Sequence, residues 1–128
     1  MYAAGGPHPL RDSCRVALEL AVTRKTRLVT STEVLQEVLY RYLSIRRPDA
    51  ARTVYRTATT LCEEVFAIDI RHTNRALELL LESPHLSPRD AIHVATMETH
   101  QLRRILTTDR DFDQVESVER VDPVDFVS

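Results

Sequence analysis

Apolar residues return every three or four positions over much of this chain, and short apolar runs without that period stand between them. After an initial segment, Met1 to Gly6, Pro9 suits the first turn of a helix on which Leu10, Cys14, Ala17, Leu18 and Ala21 share a face. Arg27 to Val29 is a brief β-type run. Thr30 to Glu33 then has the S/T-x-x-E form of a capping box, in which two side chains satisfy the first unpaired backbone N–H groups of a helix. The stripe of that helix is Val34, Leu35, Val38, Leu39 and Tyr42. Pro48 opens a third helix, with Ala51, Val54, Tyr55, Ala58, Leu61, Cys62 and Val65 along one face. Val65 to Ile70 reads as a strand and Thr73 to Leu81 as a helix that Ser83-Pro84 breaks. Ser87-Pro88 starts another helix, serine as cap and proline at the first position. Arg104 to Thr107 and Val118 to Asp122 are the last two strands. Strands alternating with helices predict an α/β domain with a mostly parallel, twisted sheet flanked by helices. No repeat, low-complexity tract or linker divides it, so residues 1–128 read as one domain.

Composition narrows the class. With 128 residues, 43% hydrophobic and 28% charged, the chain can bury one sizeable core and is too apolar for a disordered segment. No apolar run approaches the roughly 20 residues that span a bilayer, and Met1 to Pro9 lacks the basic start and apolar stretch of a secretion signal. Cys14 and Cys62 lie in helical patterns without metal spacing and read as small buried hydrophobes. These features predict a cytoplasmic protein without a membrane partner. The net charge of −2 gives no bulk attraction to nucleic acid. Of the 17 basic residues only Lys25 is lysine. That bias reflects either a GC-rich genome or a use for the planar guanidinium fork on phosphates, and Arg46, Arg47, Arg52 and Arg56 are close enough in sequence to form a local basic patch.

Three acids stand where a parallel sheet places its working groups, past the carboxyl ends of strands and at the starts of helices. Asp109 follows the strand Arg104 to Thr107, Glu37 lies two turns into the helix after Arg27 to Val29, and Asp90 is the third residue after the cap Ser87. Carboxylates gathered in one crevice repel each other, and a hard divalent cation relieves that repulsion. Each acid also has a plainer use. Asp90 can close a capping box with Ser87, although it shares its face with Val94 and Met97. Glu37 falls far from the centre of its apolar stripe, as a solvated residue does, and Asp109, Asp111 and Asp113 alternate as in a polar turn.

Other chemistries are excluded. In D-x-D-x-D, Gln114 replaces the glycine and Arg120 the final glutamate of a calcium loop. Gly5 and Gly6 are the only glycines, so there is no phosphate-cradling loop. His8, His72, His85, His93 and His100 form no metal-ligand spacing, and His93 lies one turn from Asp90. A phosphoacceptor receiver domain would need an acid pair near the N-terminus and a late lysine, and neither is present.

Three segments together resemble the PIN domain, and within it the VapC toxins: V-T-S-T-E-V-L-Q-E-V-L-Y, L-S-P-R-D-A-I-H-V-A-T and I-L-T-T-D-R-D-F-D. Their order and spacing fit over nearly the whole chain. The resemblance implies a three-layer fold and a metal-dependent endoribonuclease toxin that uses Mg²⁺ or Mn²⁺, is neutralised by a cognate antitoxin, and often forms a homodimer. It assigns Glu37, Asp90 and Asp109 as the catalytic, metal-holding acids, with Asp111 as a helper. Thr108 and Ser31 flank these acids as contacts for a metal-bound water or an RNA phosphate. One departure stands out. The family begins with a strand that ends in an aspartate, and here no acid precedes Asp12. The resemblance therefore implies that this strand and acid are missing, through a start upstream of Met1 or through descent to a module that only binds antitoxin or RNA.

Overall fold

A computed structural model of the chain describes residues 27–107 and 109–122. The segment Met1 to Gly6, the helix expected after Pro9, Cys14 and Thr108 lie outside these residues. The chain packs as two units, Met1–Phe66 with Asp122–Ser128, and Ala67–Val121.

In the first unit, β1 (Val29–Ser31) runs directly into α1 (Thr32–Ser44), α2 (Pro48–Leu61) follows, and β2 (Glu64–Phe66) returns parallel to β1. Val29, Thr30 and Ser31 lie opposite Glu64, Val65 and Phe66. A parallel pair needs a long crossover, and the two helices supply it. The strand lies two residues further along than expected because Ser31, not Thr30, caps α1, its hydroxyl accepting from the Val34 N–H at 3.4 Å. Pro48 opens α2 as expected, since proline at the first helical position loses no hydrogen bond. Val38 and Tyr42 of α1 close on Ala50, Ala51 and Val54 of α2, and Val54 is fully buried. The small alanines let the two helix backbones approach. Cys62 lies just past α2 as a half-buried free thiol, and burial pushes its pKa up.

The second unit starts with α3 (Ile70–Glu82) and α4 (Pro88–Thr99), then β3 (Arg104–Leu106), a 3-10 turn (Arg110–Gln114) and β4 (Glu119–Val121). The stretch expected as one strand up to Ile70 stops at Phe66 because Asp69 caps α3. Its carboxylate accepts from the Arg71 N–H at 2.9 Å, and the His72 Nδ1 accepts from the Asp69 N–H at 3.0 Å. That reciprocal pair starts the helix three residues before the expected Thr73. The His72 ring is fully buried and stacks on His100 with centroids 6.1 Å apart, while its Nε2 has no hydrogen-bond partner among the described residues. Arg75 ties α3 to α4 through two bonds to Glu98, of 2.7 and 3.4 Å. The core gathers Ala76 and Leu79 of α3, Ala91, Val94, Ala95 and Met97 of α4, and Phe112 and Val118, with Ile105 and Val115 packed on it.

β3 and β4 pair in parallel, with Arg104, Ile105 and Leu106 opposite Glu119, Arg120 and Val121. Every strand pairing among the described residues is parallel, as the sequence predicts, and they form two separate pairs, β1 with β2 and β3 with β4. Helices alternate with these strands, which is the α/β class expected.

Candidate metal centre

Ser87 caps α4 in the way the sequence predicts, its hydroxyl accepting from the Asp90 N–H at 3.1 Å. Asp90 is therefore held in the first turn of the helix by its backbone. Ala91 and Val94, on the same helix, are completely buried and pack in one core with Phe112 and Val118.

The second part of the site is the loop beyond β3. Asp109 caps the 3-10 turn, its carboxylate accepting from the Asp111 N–H at 2.9 Å, while the Asp109 N–H donates to the Thr107 hydroxyl at 3.1 Å. These bonds within the loop fix Asp109 and Asp111 relative to one another. Phe112 turns the opposite way and is buried in the core, its ring tilted against His93 of α4 with centroids 6.4 Å apart. The alternation that reads as a polar turn thus has an anchor in its middle: acids outward, one phenylalanine inward.

The outcome is a cluster in which Asp90, Asp109 and Asp111 each place a carboxylate oxygen within 4.8 Å of the others. Asp90 is half-buried and the other two are exposed. Burial pushes the Asp90 carboxyl above the ordinary aspartate range and the Asp109 charge adds to it; the Ser87 hydroxyl and His93 pull the other way, and Asp111 again raises it. An acid raised in this manner is one whose negative charge lacks a counter-ion. The donor set suits a hard cation. Oxygen ligands alone favour Mg²⁺ or Mn²⁺ over the softer metals, and an octahedral ion sets neighbouring ligand oxygens about 3 Å apart and opposite ones about 4 Å apart. The carboxylate oxygens lie within 4.8 Å of one another, somewhat wider than that scale, so a bound ion would draw them together.

A family model of the PIN domain matches residues 1–118. The chain belongs to the PIN-domain family, in its VapC branch. A VapC ribonuclease of Mycobacterium bovis is 36% identical over 121 residues, covering 94% of this chain and 92% of the relative. Ribonuclease VapC13 of Mycobacterium tuberculosis is similar to the same extent, 36% over 121 residues with the same coverage. Ribonuclease VapC23 of Mycobacterium tuberculosis is 36% identical over 112 residues, 85% of this chain and 86% of the relative.

Against the family resemblance, the structure brings together three of the acids read from the sequence, Asp90, Asp109 and the helper Asp111. Glu37 belongs to the first unit, half-buried on α1 between Leu35 and Val38, which are both buried. Ser31, expected as a phosphate contact, is the buried cap of α1, and Thr108 lies outside the described residues. His93 is near enough for its charge to lower the Asp90 pKa, so it borders the centre without joining the acid cluster. What the sequence reading missed is Arg120. In sequence it registers only as the residue that spoils a calcium loop, and no local motif marks an arginine in a three-residue strand. In the structure its Nε donates to Asp113 at 2.9 Å and its Nη1 to the Thr107 carbonyl at 3.3 Å.

Proposed function

We propose that this chain is a metal-dependent endoribonuclease toxin of a toxin–antitoxin pair, acting as one PIN-like domain over residues 1–128. The observation that carries the reading is the convergence of Asp90, Asp109 and Asp111 at the carboxyl end of β3 and the start of α4. Family membership and the ribonuclease names of the relatives support it. In this reading Asp90, Asp109 and Asp111 hold Mg²⁺ or Mn²⁺, directly or through water, and Glu37 is a catalytic acid by family resemblance alone. Such an ion lowers the pKa of a bound water and neutralises charge on a phosphodiester under attack. Asp90 has the most to gain, because its half-buried charge is the one that burial and its neighbours disfavour. By resemblance, Thr108 offers a hydroxyl toward a metal-bound water or an RNA phosphate.

For RNA the exposed Arg46, Arg52 and Arg56 offer a basic face at the start of α2, although the whole chain is slightly acidic. For protein partners, a cognate antitoxin and a second copy of the chain, the exposed apolar side chains Leu39, Tyr40, Leu43 and Ile45 around α1 and Ile70, Leu77 and Leu81 on α3 supply surface to cover. No helix among the described residues is long and apolar enough to cross a membrane, and we place the protein with its RNA target in the cytoplasm.

The test is cleavage of RNA by the purified chain in Mn²⁺, in Mg²⁺ and in chelator, beside Asp90→Asn and Asp109→Asn. Cleavage that needs the metal and both acids is expected. Cleavage unaffected by chelator or by both substitutions would sink the proposal. A second reading is a catalytically impaired PIN-like module. It still binds antitoxin or RNA but organises no metal, and its signature is antitoxin or RNA binding with neither Mn²⁺ binding nor RNA cleavage.

A further inference from the structure

Arg120 stands on β4 opposite Ile105, with a side chain only 14% exposed. Its guanidinium holds both ends of the acidic loop. Nη1 donates to the carbonyl of Thr107, just before Asp109, and Nε donates to the carboxylate of Asp113, just after Asp111. Thr107 is a junction for further bonds. Its N–H donates to the Val121 carbonyl at 3.1 Å, and its hydroxyl accepts from the Asp109 N–H at 3.1 Å. Asp109 in turn accepts from the Asp111 N–H. A continuous series of hydrogen bonds therefore runs from Arg120 through Thr107 to Asp109 and Asp111. The planar fork of arginine can hold two acceptors in fixed directions at once, which a lysine ammonium on a flexible stem does not do.

We propose that Arg120 is a positioning residue for the metal centre, clasping the loop so that Asp109 and Asp111 face Asp90. The inference rests on the metal-site reading above and assigns to it a residue outside the acid cluster. Charge and position make opposite predictions for this residue. As a nearby positive charge, Arg120 opposes a cation, so removing it should tighten Mn²⁺ binding. As the clasp of the loop, it preorganises the ligands, and removing it should weaken binding. Losing a residue that orients metal ligands typically weakens metal affinity by about tenfold or more.

The experiment measures the Mn²⁺ dissociation constant of the whole chain, with Mn²⁺ alone as ligand, for wild type, Arg120→Met, Arg120→Lys and Asp90→Asn. Thermal melts without metal establish that each variant is folded. Weaker binding is expected in both Arg120 variants: in the methionine variant against the direction of charge, and in the lysine variant although the charge is kept. Arg120→Lys keeps the test valid if the methionine variant does not fold. Binding in the folded Arg120 variants that equals or exceeds wild type, while Asp90→Asn loses Mn²⁺, would overturn the positioning role and leave the acid centre standing. If Asp90→Asn binds Mn²⁺ as wild type does, the acid-centre reading itself fails, and the role of Arg120 falls with it.

Discussion

Replacing Asp90 by asparagine should change stability little without metal and lower it clearly with metal. Without metal, Asp90 lies with Asp109 and Asp111 inside a 4.8 Å spread of carboxylate oxygens. Two like charges at that distance repel by about 1 kcal/mol in water-like surroundings and about 3 kcal/mol at an effective dielectric near 20. The exposure of Asp109 and Asp111 places each pair near the lower figure, so two relieved repulsions amount to about 2 kcal/mol. Against this stands the loss of a carboxylate in the first turn of α4, worth about 0.3–1 kcal/mol, and of its interaction with the Ser87 hydroxyl, worth about 0.5–1.5 kcal/mol. The backbone bond from Asp90 to Ser87 survives the change. The net result without metal lies between about 0.5 kcal/mol less stable and about 1 kcal/mol more stable than wild type. With Mn²⁺ at a hundred times the wild-type dissociation constant, wild type gains about 2.7 kcal/mol and the variant far less. Melting temperatures that lie close together without metal therefore separate in favour of wild type on adding it. Thermal melts of both proteins, with and without Mn²⁺, read this directly. An equal rise in both would show that Asp90 is only a helix cap.

The raised Asp90 pKa gives this effect a pH dependence. Because its folded value lies above the unfolded one, near 3.8, the destabilising charge is absent below 3.8 and develops as pH rises through the folded value. The stability of the metal-free wild type relative to Asp90→Asn should accordingly fall over that window, and Mn²⁺ binding should strengthen over it. A stability difference that stays flat with pH would remove the desolvated charge from the account. Phe112→Ala should cost about 3–5 kcal/mol in denaturant unfolding, since the ring is buried in the core beneath the acidic loop; a loss below about 1 kcal/mol would mean that the loop is not anchored there. Arg52→Ala and Arg56→Ala, exposed on α2, should each reduce the slope of log RNA affinity against log salt by about 1 if the side chain meets a phosphate. Unchanged slopes would take the RNA away from that face.

The elements that could be read from the sequence are those whose starts are set by neighbours in the chain. Pro48 and Ser87-Pro88 open α2 and α4 where expected because proline and a serine cap act within one turn. The Asp69–His72 capping pair was not legible in the same way, since histidine in place of glutamate falls outside the usual pattern, and the apolar residues up to Ile70 imitate a longer strand. Thr30 competed with Ser31 for the cap of α1, and only the pairing of β1 with β2 as far as Ser31 decides between them. The acids follow the same division. Asp90 and Asp109 could be placed because each adjoins a strand or helix end. Their approach to one another, and the role of Phe112 between Asp111 and Asp113, depend on packing against α4 that no local pattern encodes. Arg120 lies furthest from the sequence, because its partners are 7 and 13 residues away and are met only once β3 and β4 pair.

The central claim is that the three aspartates hold a cation. Crystals of the chain grown with Mn²⁺, measured at a wavelength where manganese scatters anomalously, would locate the ion independently of any activity. An anomalous peak is expected among the carboxylates of Asp90, Asp109 and Asp111, lost in crystals of Asp90→Asn. Manganese bound only elsewhere on the chain, or a peak at the cluster that persists without the Asp90 carboxylate, would contradict it.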